Sequence, residues 1–132
     1  MSKAKKAVAE IREPSMAELL HNAVVEGLQE KKGKDIVSLN LTNVNSAVAD
    51  YFVICHADSK TQVEALARSV EEVSEKMTHE NPWHKEGAGN SEWILLDYIN
   101  VVVHIFIKEK RDFYGIERLW ADADIIHYDY NE

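Results

Sequence analysis

Residues 48–57 read VADYFVICHA, a short run that is apolar on both faces and decides the fold. A run of this kind is typical of a central strand covered by helices. It ends at Asp58 and Ser59, and Ser59 stands three residues before Gln62, which is the spacing of a helix capping box. A helix to about Thr78 is predicted next, because apolar residues recur every three or four positions: Val63, Leu66, Val70, Val73 and Met77. Strand, capped helix and further strand form a crossover unit, which predicts a partly parallel sheet.

The segment before this run predicts one more helix and one more strand. Ser15 and Glu18 again have capping-box spacing, and the apolar residues that follow fall on one helical face. The predicted helix spans about Met16 to Lys32 and ends before Gly33, because glycine is a common C-terminal stop. The next residues, DIVSLNL, alternate in the manner of a strand.

The segment after the crossover predicts a hairpin. The runs WILLDY and VVVHIFI are strands separated only by Ile99 and Asn100. Asn100 tolerates a positive φ, whereas the β-branched Ile99 does not. A tight turn is therefore expected, and a longer turn or a bulge stays open.

The C-terminal segment predicts a short third helix. In RDFYGIERLW, apolar side chains stand at helical spacing despite Gly115: Phe113, Ile116, Leu119 and Trp120. The remaining residues, ADADIIHYDYNE, are expected either to add an edge strand or to stay loose.

Length and composition limit the number of domains and the fold class. With 132 residues, 45% of them hydrophobic, the chain has the size of one domain, and no repeat or linker divides it. We predict a single α/β domain over residues 15–132, with a mixed β-sheet flanked by helices. Residues 1–14 are expected to be a flexible basic tail, because they hold several cations and few large apolar residues: Lys3, Lys5, Lys6 and Arg12.

The charge indicates what kind of partner the domain suits. The chain carries 15 Lys and Arg against 23 Asp and Glu, a formal net charge of −8, and the basic residues are concentrated in the tail and around Lys31, Lys32 and Lys34. Nucleic-acid binding rests on cations that neutralise phosphates, so direct nucleic-acid recognition is not expected and a basic protein is a better partner. The charge also has a simpler explanation, which is solubility. The sequence shows no secretory signal, no membrane span and no Arg-rich leader, which favours a cytoplasmic location.

Residues that could carry catalysis do not form a recognisable set. The six histidines lack the spacing of a zinc site. His104 is predicted to be a core residue, and the lone Cys55 is predicted to be a small buried hydrophobic residue. Asp97 is followed by Asn100 where a paired carboxylate would be wanted for two-metal chemistry. The stretch EGAGNSE lacks the Lys and Ser or Thr of a phosphate-binding loop. We therefore expect neither enzymatic activity nor a metal or other cofactor.

A group of aromatic and charged residues is more informative. It lies on the hairpin and the last helix and comprises Trp93, Tyr98, Arg111, Tyr114, Glu117, Arg118 and Trp120. Trp, Tyr and Arg are the usual anchors of protein interfaces. The same rings would also suit a core in which the last helix packs on the sheet, and spacing does not decide between these two interpretations.

Three blocks of the sequence resemble the Iojap-like ribosomal silencing factor family. They are ADYFVICHADSKTQVEALA, HKEGAGNSEWILLDYINVVVHIF and RDFYGIERLWADADII, and together they cover roughly residues 49–126. Two positions depart from the family pattern. Ala57 stands where the family often has Gly, and Ile99-Asn100 stands where it often has Gly-Asp, which bears on loop geometry and removes an acidic residue at position 100.

The resemblance implies both a fold and a function. The fold would be similar to a nucleotidyltransferase core without its active site. The function would be translation repression, in which the chain binds ribosomal protein fourteen of the large ribosomal subunit and blocks the small subunit when nutrients are short. On the positions of the motif, the partner-binding residues would be Trp93, Asp97, Tyr98, Tyr114, Glu117, Arg118 and Trp120.

Two questions stay open at this point. The competing function is a divergent, metal-dependent nucleotidyltransferase-like enzyme that uses Asp97, Glu86 and a metal. The sequence also leaves open whether the chain forms a homodimer.

Overall fold

A computed structural model describes residues 13–128, which form one six-stranded mixed sheet with helices. The strand order is β3-β4-β5-β2-β1-β6. The elements in chain order are α1 (Met16–Glu30), β1 (Lys34–Asn40), β2 (Tyr51–Ala57), α2 (Lys60–Thr78), β3 (His84–Glu86), β4 (Trp93–Asp97), β5 (Val101–Ile107), α3 (Lys108–Tyr114), α4 (Ile116–Leu119) and β6 (Asp124–His127). The predicted fold class, a single α/β domain with a mixed sheet, is confirmed.

The crossover predicted from VADYFVICHA lies at the centre of the sheet. β2 pairs with β5 in parallel, with Val53 opposite Val103, and the other neighbouring strands pair antiparallel. The Ser59 hydroxyl accepts a hydrogen bond from the Gln62 backbone N–H and begins α2, as predicted. α1 begins with a complete capping box between Ser15 and Glu18.

One face of the sheet carries both long helices. α1 and α2 pack against each other and cover the larger core cluster, which includes Val53, Val103 and Ile105. A Cβ added at Gly27 would lie 2.8 Å from the Cα of Val70, so the two helices approach too closely for a side chain there. The Ser69 hydroxyl donates to the Gly27 carbonyl oxygen at 2.7 Å, which ties the helices at the same point.

The opposite face is covered only in part. A smaller core cluster lies here, and it contains Leu39, Ile54, Phe106 and Ile116, with Trp93 and Trp120 packed at its margin. The helices on this side, α3 and α4, have 7 and 4 residues, against 15 and 19 for α1 and α2. This sheet face therefore has much less helical cover than the other.

The predicted third helix is divided, which is a correction. Gly115 has φ +54° and ends α3, and α4 begins at the next residue. The break turns the chain, so Ile116 is buried while Phe113 and Leu119 are each 74% exposed. Helical spacing alone had placed all three on one apolar face.

The hairpin turn is tight, and the β-branched Ile99 adopts a positive φ in it. Ile99 has φ +77°, and the Asn100 N–H donates to the Tyr98 carbonyl oxygen at 3.0 Å across it. An Asp97 carboxylate oxygen accepts the Ile99 N–H at 2.7 Å and holds the turn from the other side. A positive φ is costly for a β-branched residue.

The C-terminal segment does add an edge strand, β6, which pairs antiparallel with β1. Most of the predicted basic tail lies outside the described residues, as do residues 129–132. Between residues 13 and 128, no helix has the length and apolar character needed to cross a membrane.

Candidate partner-binding surface

Apolar side chains gather on the partly covered sheet face and on the two short helices beside it. We call this set the aromatic surface, and it consists of Phe52, Trp93, Phe113, Tyr114, Leu119 and Trp120. Phe113 and Leu119 are each 74% exposed and Tyr114 is 44% exposed, whereas the other three are half-buried. Exposed apolar side chains that lie together, unlike scattered ones, mark sites of interaction.

Trp93 connects the surface to the core. Its ring stacks on Phe106 with centroids 4.9 Å apart and lies 4.6 Å from the ring of Tyr114. Its indole Nε1–H donates to Nδ1 of His104 at 3.1 Å. One half of the ring is therefore held in place by buried groups while the other half remains available to a partner.

His104 orients Trp93 because it stays neutral. The side chain is 4% exposed, and burial lowers the pKa of His104 to about 4, against a weaker opposing influence of Asp97. At neutral pH, Nδ1 is therefore an acceptor and the ring proton is on Nε2. No described N or O atom accepts that proton, and the Phe52 ring lies edge-on with its centroid 4.9 Å away.

A buried arginine holds the two short helices across the Gly115 break. Arg111 is 7% exposed, and its guanidinium donates to both carboxylate oxygens of Glu117 at 3.3 and 3.2 Å. The same group donates to the Asp35 carbonyl oxygen at 2.7 Å and to Nδ1 of His56 at 3.0 Å. We call the α3–Gly115–α4 segment the elbow.

The residues predicted to bind a partner divide into two groups. Trp93, Tyr114 and Trp120 belong to the aromatic surface, and Arg118 is exposed beside them on the elbow. Tyr98 does not join them, because its ring is 6% exposed in the core under α2.

The other predicted residues are engaged within the chain. The Tyr98 hydroxyl pairs with the Ser74 hydroxyl at 2.8 Å, and burial raises the pKa of Tyr98 to about 12. Asp97 accepts the Ile99 N–H, and Glu117 accepts from Arg111. Tyr98 is therefore buried away from the aromatic surface, and the carboxylates of Asp97 and Glu117 each have a structural role.

Sequence analysis did not single out Phe52, Phe113 and Leu119 as surface residues. The signal for the last two was the glycine between them, because Gly115 is the residue most able to take a positive φ and turn the chain. Phe52 gave no such signal, because it lies in a strand that is apolar on both faces.

The groups considered for catalysis remain separate. Cys55 is fully buried, and burial raises the pKa of its thiol to about 12, which fits the predicted role as a small core residue. The Glu86 carboxylate pairs with His84 at 2.8 Å, while Asp97 caps the hairpin turn. Within residues 13–128, no three His, Cys, Asp or Glu side chains are grouped in a way that could hold a metal ion.

These features define a single α/β domain with apolar side chains exposed on one partly covered sheet face. The family model described as "Ribosomal silencing factor during starvation" matches residues 13–132. The chain belongs to the ribosomal silencing factor family, and the resemblance found in the sequence is thereby confirmed.

Individual relatives agree with this assignment. A ribosomal silencing factor of Halalkalibacterium halodurans is 38% identical over 112 residues, which are 85% of this chain and 93% of that protein. The chloroplastic protein Iojap of Zea mays is 33% identical over 76 residues, 55% of this chain and 31% of that longer protein. The crystal structure of a Chromobacterium violaceum protein superposes with a TM-score of 0.71 at 35% identity, covering 77% of this chain and 83% of the other.

Proposed function

We propose that this chain is a cytoplasmic translation repressor that binds ribosomal protein fourteen on the large ribosomal subunit and keeps the small subunit from joining, above all when nutrients are limiting. It acts by occupying space, without catalysis. Family membership gives the ribosome as the setting. The partner and the steric mechanism are the proposal.

The observation that carries the proposal is the aromatic surface. Two of its side chains, Phe113 on α3 and Leu119 on α4, are each 74% exposed and contribute little to the core. Exposure of large apolar side chains to water is unfavourable, and a partner that covers them lowers the free energy of the system. Beside them stand half-buried tryptophans, the residue type most enriched among interface anchors.

The composition of this surface suits a specific interface. A standard interface covers about 800 Å² on each partner, with a few buried anchors inside a polar rim. Phe113 and Leu119 would be the central anchors, and Trp93, Tyr114 and Trp120 would be fixed anchors because the core already holds part of each ring. A rigid anchor loses little conformational entropy on binding.

Charge supports a basic partner. The chain carries a formal charge of −8, and Asp112 on the elbow and Asp122 just after it are both exposed. Complementary charge around an apolar centre speeds encounter and fixes orientation more than it adds affinity. A ribosomal protein that binds RNA elsewhere on its surface is a partner of this kind.

The competing enzymatic function gains no support from residues 13–128. Glu86 and Asp97 have partners inside the chain, and no third ligand joins them. A steric block requires only that the surface be occupied and that the bound domain project into the space of the other subunit.

Co-sedimentation tests the proposal directly. The purified chain is mixed with isolated large subunits, and small subunits are then added in excess. We expect the chain to sediment with the large subunit and the fraction of joined ribosomes to fall as occupancy rises. Normal joining at saturating occupancy would contradict the steric mechanism, and binding to large subunits that lack ribosomal protein fourteen would contradict the proposed partner.

A further inference from the structure

A cleft opens at the edge of the sheet where the two parallel strands end. It is about 470 Å³ in volume and is lined by Lys34, Asp35, His56, Asp58 and Lys108. His56 lies near the end of β2 and Lys108 directly follows β5. In open α/β sheets, ligands bind outside the carboxyl ends of the parallel strands, in clefts of a few hundred Å³.

His56 supplies a fixed donor in this cleft. Arg111 donates to its Nδ1 at 3.0 Å, so Nδ1 is an acceptor and the ring proton is on Nε2. Burial and the Arg111 charge lower the pKa of His56 and keep the ring neutral at pH 7, against weaker opposing influences of Asp35 and Asp58. The Nε2–H has no partner in the described part of the chain.

Two charged side chains in the cleft also have no ion-pair or hydrogen-bond partner among residues 13–128. Lys108 forms no ion pair with any residue from 13 to 128, and the Asp35 carboxylate accepts no hydrogen bond there, although both act on His56 through charge. By contrast, Lys34 pairs with Asp58. The cleft therefore offers a cation, a neutral donor and a separate carboxylate acceptor.

The backbone at the cleft is irregular on the same side. Asp35 has φ +47°, and the pairing of β1 with β2 shifts register between Lys34 and Val37, opposite His56. Irregular pairing and positive φ at a residue other than glycine are concentrated next to binding sites, where they aim particular side chains.

We propose that this cleft binds a phosphorylated small metabolite that carries free hydroxyl groups. Its phosphate would contact Lys108 and accept the His56 Nε2–H, and one of its hydroxyl groups would donate to the Asp35 carboxylate. The Lys108 cation and the neutral His56 donor suit a phosphate. The Asp35 carboxylate would repel a second anion but can accept a hydrogen bond from a hydroxyl group. None of the five lining residues belongs to the aromatic surface, and only Lys108, the first residue of α3, belongs to the elbow.

Isothermal titration calorimetry on the full chain tests the site with four probes: ribose 5-phosphate, AMP, ribose and inorganic phosphate. Backbone amide shifts from nuclear magnetic resonance locate each bound probe. We expect both phosphorylated sugars to bind and shift amides around the cleft, and ribose and inorganic phosphate each to bind at least about tenfold more weakly, since each lacks one half of the contacts.

Two variants and a matched control complete the test. Lys108→Ala and Asp35→Asn should each weaken AMP binding about tenfold. Lys110→Ala, which removes a lysine two positions away that does not line the cleft, should leave AMP binding unchanged. Absence of binding by both phosphorylated sugars at millimolar concentration would overturn the proposal. So would wild-type affinity in both variants, or inorganic phosphate that binds as tightly as AMP.

Discussion

Arg111 and Glu117 lie on opposite sides of Gly115, and their side chains close the elbow with two hydrogen bonds of 3.3 and 3.2 Å. The pair holds α3 and α4, which together present the exposed apolar side chains. Because Arg111 is 7% exposed and also bonds the Asp35 carbonyl oxygen, it joins the elbow to β1 as well.

Arg111→Lys should destabilise the fold by about 3 kcal/mol, because an ammonium group cannot reproduce the planar fork and leaves buried acceptors unpaired. Urea denaturation measures the loss. Lys110→Ala is the control, because its Nζ stands 3.7 Å from a half-buried carboxylate of Glu92, and ion pairs at the protein surface contribute at most about 1 kcal/mol. Equal losses in the two variants would contradict a structural role for Arg111.

The double variant Phe113→Ala, Leu119→Ala should weaken binding to large subunits by about tenfold or more while the unfolding midpoint stays close to wild type. The reason is that both side chains are exposed in the free protein. The matched control is Met16→Ala, Leu19→Ala, which removes exposed apolar side chains from α1 on the opposite face of the sheet. Equal affinity losses in the two double variants would show that the aromatic surface is not the specific contact.

Tyr98→Phe should reduce stability by about 1 kcal/mol through the lost hydrogen bond to Ser74, and it should leave affinity for the large subunit unchanged. Thermal unfolding and co-sedimentation of the same preparation separate the two effects. A loss of affinity in a fully folded Tyr98→Phe protein would restore the hydroxyl as a partner contact.

Acid should destabilise the protein through His104. The folded pKa is about 4, below the ordinary value of 6.5, so between these values the unfolded chain binds more protons and stability rises with pH. The contribution of His104 is complete above pH 6.5 and is lost as pH falls towards 4, by at most about 3 kcal/mol. His104→Gln retains an acceptor for Trp93 and should show a shallower dependence of unfolding free energy on pH in that window. An unchanged slope would contradict a buried, neutral His104.

Ile99→Gly should stabilise the hairpin by about 1 kcal/mol, because glycine adopts φ +77° without the strain of a β-branched side chain. Ile99 is 56% exposed, so little burial is lost. Asn100→Gly, at the neighbouring position, should bring no such gain. Chemical denaturation of both variants provides the comparison, and a destabilised Ile99→Gly protein would argue against strain at this turn.

Local patterns sufficed for much of the fold. The capping spacing at Ser59 and the two-faced run at residues 48–57 correctly predicted the crossover, because both depend on neighbours in sequence. The elbow was not predictable in the same way. Whether Gly115 continues a helix or ends one depends on Arg111, whose partners at positions 35 and 56 are far away in the chain.

The candidate surface shows a similar division. The sequence pointed to the region of this candidate surface through Trp93, Tyr114 and Trp120, because aromatic residues gather at interfaces and in cores alike. It could not separate exposed from buried rings, since that depends on which face of β4 each residue occupies and on where the helix breaks. Tyr98 lies in the core under α2, whereas Phe113 and Leu119 are exposed because the helix breaks at Gly115.

The half-buried position of Trp93 affects how the family can diverge. Because the ring is part of the core and of the aromatic surface at once, selection cannot alter it for a new partner without also altering stability. Phe113 and Leu119 carry no such double constraint. Adaptation to a changed partner should therefore accumulate on the elbow, while the tryptophan beneath it is inherited unchanged.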